Sequence, residues 1–286
     1  MGKILLDMHS HIDQNGNTWH SSVFVSDDWT KWISDLTIEE IEKLFKSQNR
    51  LLNIAEGWSW NAMLMEIIMK VCSSRVNSLI WIDIDATSIE VGKARIKKLW
   101  DEINWKCTFI LSNLFQSVTP KLLKNVDILY FCFPQLFATE ELEFTDKRPD
   151  DFYAHYVERW ANIGPFYDVW YWLIRETLKQ FRAHNDEGIT ISNFTWRVNP
   201  DIVEELHNYA WYDSEIWLER IIPHCKSTNL WALVQLEKST PELVWKMYGD
   251  INWKEVITIE EAEDRRKQWI EVFHDLLVVK WIPKKS

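Results

Sequence analysis

Between residue 50 and about residue 240, short apolar runs alternate with amphipathic stretches. This pattern constrains the fold more than any other feature of the chain. Val126–Phe131 is apolar enough to be buried on both faces, which a strand achieves inside a parallel sheet covered by helices on either side. Strands are therefore predicted at Arg50–Glu56, Ser78–Asp85, Cys107–Leu111, Val126–Phe131 and Ile189–Phe194, with Glu215–Ile222 and Leu230–Leu236 as the sixth and seventh. Helices are predicted from Thr37 to Gln48, opened by the capping box Thr37-Ile38-Glu39-Glu40, and at Trp60–Val71, Ser88–Ile103, Phe166–Phe181 and Pro200–Tyr209. Such βα alternation predicts an α/β domain. The expected division is an N-terminal arm and helix over 1–49, a core over 50–240 and an extension over 241–286 packed on that core. Residues 138–151 are acidic and polar, as a loop or lid would be. In the extension, Thr258–Trp269 reads as a charged helix with a solvated face, and Val272–Ile282 as an added edge strand.

Composition narrows the function classes. The formal charge is −11, and acidic and basic residues are mixed along the chain. A phosphate-gripping protein usually presents a basic face, so nucleic acid is not an expected partner. No uncharged stretch reaches the roughly 18 residues of a membrane span, so no membrane partner is expected either. Met1–Asp7 has too short an apolar run for a signal peptide. The 4 cysteines are widely spaced without a CxxC pair, which suggests reduced thiols, a cytoplasmic location and no zinc site. Asp7-Met8-His9-Ser10-His11 imitates the start of metal-dependent hydrolases, but residues 50–240 are committed to another fold. A solvated arm is the expected reading, with no metal.

One feature is abnormal: 19 tryptophans and only 7 glycines, where average usage gives glycine about 7% of residues. Either the core is rich in tryptophan, or some tryptophans stand for UGA codons that the source reads as glycine. Ligands of an open α/β sheet sit beyond the carboxyl ends of the strands, and the loop after the first strand wants small residues there. That loop is Asn53-Ile54-Ala55-Glu56-Gly57-Trp58-Ser59-Trp60-Asn61; with glycine at 58 and 60 it becomes an ordinary glycine-rich loop. The second strand ends in Asp83, an acid placed to accept both hydroxyls of a ribose.

Asn53–Asn61, Leu79–Asp85, Leu111-Ser112-Asn113-Leu114-Phe115 and Val126–Gln135 resemble the successive motifs of class I S-adenosylmethionine-dependent methyltransferases. The resemblance is strongest to the methionine S-methyltransferases and the release-factor glutamine methyltransferases. Cys132-Phe133-Pro134-Gln135 is similar to Cys-Ile-Pro-Gln of the plant methionine enzymes. His224–Glu237 is similar to a late segment of theirs. The resemblance implies a Rossmann-like, seven-stranded, mostly parallel sheet with helices on both faces and an antiparallel last strand. It implies S-adenosylmethionine as cofactor, with Ala55, Gly57 and Ser59 along its methionine part, Asp83 on the ribose, and Ile84, Asn113 and Leu114 around the adenine. Cys132, Pro134 and Gln135 would face the substrate. Trp58, Trp60, Trp81, Trp105, Trp196, Trp211 and Trp231 fall where the family commonly has glycine or another small residue, which favours recoding. UGG codons at 58, 60 and 81 would instead make the chain a pseudoenzyme.

No catalytic residue is identified. Cys132–Gln135 lacks the Asn of the Asn-Pro-Pro-Tyr motif that orients an amide nitrogen, which argues against glutamine and adenine as acceptors. A thioether sulfur carries no proton, so its methylation needs placement and no general base. The expected reaction is methyl transfer to a small molecule, a thioether such as methionine being the sharpest expectation. The alternatives are an N- or O-methyltransferase of a small molecule or protein side chain, and an inactive binding protein. Aromatic groups near the site would favour a sulfonium; Tyr153, Tyr156, Phe166 and Tyr167 are candidates by region, though ordinary packing is the preferred reading of them.

Overall fold

The computed structural model describes residues 11–12, 18–19, 28–58, 62–97, 106–132, 136–137, 153–154, 168–194, 202–224, 230–231, 234, 237–238, 246–252 and 254–285. In chain order the elements are β1 (His11–Ile12), β2 (Thr18–Trp19), α1 (Asp28–Gln48), β3 (Leu52–Gly57), α2 (Met63–Cys72), β4 (Val76–Asp83), α3 (Ala86–Lys97), β5 (Cys107–Leu111), α4 (Pro120–Lys124), β6 (Ile128–Phe131), β7 (Leu136–Phe137), β8 (Tyr153–Ala154), α5 (Asp168–His184), β9 (Ile189–Phe194), α6 (Ile202–Ala210), β10 (Tyr212–Pro223), β11 (Met247–Tyr248), β12 (Val256–Ile257), α7 (Ile259–Lys267) and β13 (Phe273–Pro283).

The main sheet runs β12-β11-β13-β9-β6-β3-β4-β5, with β10 also paired to β13. Strands β5, β4, β3, β6 and β9 are parallel, whereas β13 is antiparallel to both β9 and β10. Alternation along the strands builds two cores. Leu79 and Trp81 of β4 join one with α1, α2 and α3 side chains such as Ile41, Met65 and Ile89. Ile80 and Ile82 join the other with Leu123, Leu178 and Leu206 of α4, α5 and α6. This is a Rossmann-like α/β sheet, mostly parallel, with helices on both faces and antiparallel last strands.

Cys107–Leu111 and Ile189–Phe194 are strands with the expected bounds. Three expectations are corrected. In the run expected as the seventh strand, the described residues Trp231 and Val234 are helical, and Val234 N–H donates to Leu230 O at 3.0 Å, one helical turn back. Leu230 and Val234 are both buried, and a short apolar run does not by itself separate helix from strand. The seventh long strand is β13, which the charges of Asp275 and Lys280 disguised as an edge. It lies between β9 and β10, so the sheet runs past the expected core limit at 240. Lys280 is tolerated inside because Glu40 of α1 accepts its proton at 2.7 Å, with both side chains about 5% exposed, as a buried charge requires. The capping box is also displaced: α1 begins at Asp28, and Thr37 is buried within it, because the apolar face continues back to Ile33.

Six described residues other than glycine have positive φ: Asn49, Trp58, Ala62, Leu114, Trp211 and Trp269. Asparagine tolerates that region, bulky side chains rarely do, and half of these residues are tryptophan. Trp269 (φ 63°) follows α7. Trp269 N–H donates to Arg266 O and Ile270 N–H to Arg265 O, both at 2.9 Å. These are the two bonds of a Schellman helix end, whose left-handed position usually holds glycine. Trp211 (φ 58°) stands at the exit of α6.

Candidate functional site

The site is built at the carboxyl edge of the parallel strands, where chain reversals leave backbone N–H groups and short loops facing a ligand. Gly57, the last residue of β3, pairs with Ile82 of β4 on one side and Phe131 of β6 on the other. Asp83 follows Ile82, pairs with Leu111 of β5 and is 5% exposed. Its carboxylate accepts the Asp85 N–H at 2.9 Å, and Asp85 in turn accepts the Ser88 hydroxyl at 3.1 Å at the start of α3. The loop after β4 is thus fixed by its own acids. Gly57 and Asp83 stand on adjacent strands, one residue apart in register.

The sharp bend falls at Trp58, one residue after Gly57. Gly57 lacks a positive φ, and a Cβ there would meet only Phe131 Cβ at an ordinary 3.6 Å. Trp58 takes the left-handed turn, at φ 55°, while its N–H still donates to Ile82 O at 2.9 Å. Its indole turns inward, 6% exposed, into the cluster holding Ala55, Ile82, Leu114 and Phe115. It meets the Phe115 ring edge-on at 5.7 Å. Ala55 is fully buried and lies under this loop; Ile84 and Asn113 are half-buried. Leu114 is buried with a φ of 48°. The structure therefore gathers Ala55, Gly57, Asp83, Ile84, Asn113 and Leu114 at neighbouring strand ends, and the Trp58 side chain stands among them. Ser59, Pro134 and Gln135 lie outside the described residues, as do Tyr156, Phe166 and Tyr167.

Trp81 is also crowded. It is fully buried, its Nε1 has no hydrogen-bond partner among the described residues, and its ring lies so near Gly92 of α3 that a Cβ there would sit 1.6 Å from Cζ3. Trp281 is different: equally buried, it donates to Ser192 Oγ at 2.8 Å.

At the β6 end, Cys132 is half-buried, and its N–H donates to Gly57 O at 3.4 Å. One row back, buried Tyr130 donates to the Glu56 carboxylate. Burial, and then that carboxylate, push the Tyr130 phenol well above its ordinary range. Burial, and then Glu56, push the Cys107 thiol up to about 11. The residue that sequence reasoning passed over is Asn193 at the end of β9, buried at 3% exposure. Its only signal was a carboxamide closing the otherwise β-branched run Ile189-Thr190-Ile191. Among the described residues no three His, Cys, Asp or Glu side chains gather as metal ligands would, and no helix is long and apolar enough to cross a membrane.

No family model matches the chain, and no curated protein matches it. Among solved structures, it is similar to precorrin-6y C5,15-methyltransferase from Geobacter metallireducens GS-15, at a TM-score of 0.45 and 7% identity over 92% of this chain and 95% of that one. It is similar to M. capricolum TrmK in complex with S-adenosyl-homocysteine, at a TM-score of 0.43 and 12% identity over 87% of this chain and 69% of that one. A protein of the NADB-Rossmann superfamily from Streptococcus agalactiae gives a TM-score of 0.44 and 9% identity, over 93% and 73% respectively.

Proposed function

We propose that this chain is an S-adenosylmethionine-dependent methyltransferase acting on a small acceptor, and that its working form carries glycine at positions 58, 60 and 81. The observation that carries the reading is the placement of Gly57 and Asp83 side by side at the carboxyl edge of a mostly parallel sheet. The motifs that resemble the family fall on those strand ends. Asp83 would hold a ribose, and Ile84, Asn113 and Leu114 would line the adenine. The cofactor would supply an electrophilic methyl group on a sulfonium.

The fit depends on position 58. With tryptophan an indole packs among Ala55, Leu114 and Phe115 at the carboxyl edge; with glycine that space would be open to a ligand. A left-handed φ of 55° at this position is one that glycine adopts freely. The same backbone preference stands at 211 and 269, far from any ligand loop in sequence, so it cannot be a peculiarity of a binding site. Trp81 adds an indole N–H buried without a partner among the described residues, a group that normally finds one. Recoding of UGA as glycine accounts for all four positions together with the scarcity of glycine. It leaves Trp281, whose indole is bonded and packed, as a true tryptophan.

For the acceptor, a thioether is the favoured class. Cys132, Pro134 and Gln135 offer no carboxylate or Asn to take a proton, and a thioether has none to give. The protein's task is then to orient the sulfur and exclude water. N- or O-methylation remains the alternative reading, and a chain with true tryptophan at 58 would be an inactive binding protein.

Calorimetry with S-adenosylhomocysteine on the Trp58→Gly/Trp60→Gly/Trp81→Gly chain tests the cofactor claim. Micromolar binding is expected there and none with the three tryptophans in place; silence in both chains refutes the reading. Peptide masses from the protein made in its own source test the recoding, which fails if tryptophan is found at 58 and 81.

A further inference from the structure

The buried polar groups of the sheet are mostly matched: Lys280 with Glu40, Tyr130 with Glu56, Ser192 with Trp281. Asn193, near the carboxyl edge, is an exception, as are Trp81 and Thr190 deeper in the sheet. It is 3% exposed, and neither its Nδ2 nor its Oδ1 has a hydrogen-bond partner among the described residues. Leaving a buried donor and a buried acceptor both unmade is destabilising, and an apolar residue of similar size would avoid that cost.

Its position gives the group a use. Gly57, Phe131 and Ser192 form one rung across β3, β6 and β9. The next residue on each strand is Trp58, Cys132 and Asn193, so Asn193 is Cys132's neighbour at the sheet edge. Strand alternation puts Asn193 on the face of Ile189 and Ile191, the core against which Cys132 also packs. A carboxamide with both halves unpaired thus stands beside the strand end expected to face the methyl acceptor.

We propose that Asn193 is a positioning residue that binds the polar head of an α-amino-acid acceptor. Its Nδ2 donates to the carboxylate and its Oδ1 accepts from the ammonium. One carboxamide satisfies both groups of a zwitterion, and a zwitterion satisfies both halves of the carboxamide. The inference rests on the methyltransferase reading above and adds to it the class of acceptor and the residue that selects it.

The test uses the full chain in the Trp58→Gly/Trp60→Gly/Trp81→Gly background, with L-methionine, 3-(methylthio)propionate and 3-(methylthio)propylamine as probes. The first has both head groups; the others lack the ammonium and the carboxylate. Asn193→Leu removes both hydrogen bonds, and Asn193→Asp keeps an acceptor but loses the donor. The expected result is that Asn193→Leu lowers kcat/KM for L-methionine about 10- to 100-fold and erases its advantage over both truncated probes. Asn193→Asp should erase only the advantage conferred by the carboxylate. S-adenosylhomocysteine affinity should stay within about twofold in both variants, which separates this claim from the cofactor claim. Unchanged discrimination among the probes in Asn193→Leu overturns the inference. So does a loss of cofactor affinity in step with acceptor activity, which is what a purely structural role produces. If no probe is methylated while S-adenosylhomocysteine still binds, the melting shift produced by L-methionine with S-adenosylhomocysteine decides. A shift that Asn193→Leu abolishes supports the proposal, and no shift overturns it.

Discussion

Trp269 offers the most direct measurement of the backbone argument, because its side chain contributes so little. It is 78% exposed, yet its φ is 63° at the left-handed position of a Schellman helix end. An L-residue in that region gives up about 1–2 kcal/mol. Glycine there avoids this cost but has a more flexible unfolded chain, which returns about 0.5–1 kcal/mol. Trp269→Gly should therefore stabilise the fold by about 0.5–1 kcal/mol, a rise of roughly 1–3 °C in Tm for a chain of this size. Trp211→Gly, at φ 58° and 67% exposed, should behave alike, and the two should add because they lie at separate helix ends. Trp281→Gly is the opposite case. It empties a fully buried site and strands Ser192, with a loss of at least about 3–5 kcal/mol. Calorimetric melting and urea denaturation of the three variants give the comparison. A fall in Tm for both Trp269→Gly and Trp211→Gly would show that tryptophan belongs at those helix ends, and the structural support for recoding would go with it.

Gly92→Ala should destabilise the chain strongly while Trp81 is present, since its Cβ would collide with the indole. In a Trp81→Gly background it should be mild, and urea melts of the four-member cycle measure that coupling. Glu40→Ala should cost about 3 kcal/mol by leaving the buried Lys280 ammonium with only the exposed Glu215 carboxylate, at 3.9 Å, whereas Glu40→Gln/Lys280→Met should recover much of it; equal losses would mean that the pair is not what holds α1 to β13. Burial pushes the Cys72 and Cys107 thiols up to about 11. The folded state keeps these protons longer than the unfolded one does, so stability should be level below about pH 8.5 and fall as pH rises toward 11. Alkylation at pH 8 should be slow at both sites until the chain is unfolded, and fast labelling of the native protein would contradict the burial.

What was legible in the sequence was whatever depends on local pattern. Cys107–Leu111 and Ile189–Phe194 declare themselves because their apolar residues recur at a strand period between turn signals. The closeness of Gly57 and Asp83 was legible too, since parallel neighbours joined by a helix bring their carboxyl ends together. What stayed hidden depends on partners far along the chain. Lys280 makes β13 look solvent-facing until Glu40, 240 residues away, is seen to neutralise it. Leu230 and Val234 look like a strand until a helical turn buries both. Asn193 reads as an unremarkable strand end until the sheet sets it beside Cys132 with its amide unmatched. The tryptophans lie between these cases. Composition says that there are too many, and motif position says which ones are suspect at the ligand loop. Only the backbone angles extend the suspicion to Trp269, which no motif touches, and withdraw it from Trp281, whose indole has a built place. Position 58 joins the two lines of argument, since one change there both relieves a left-handed backbone and removes an indole from among Ala55, Leu114 and Phe115 at the carboxyl edge.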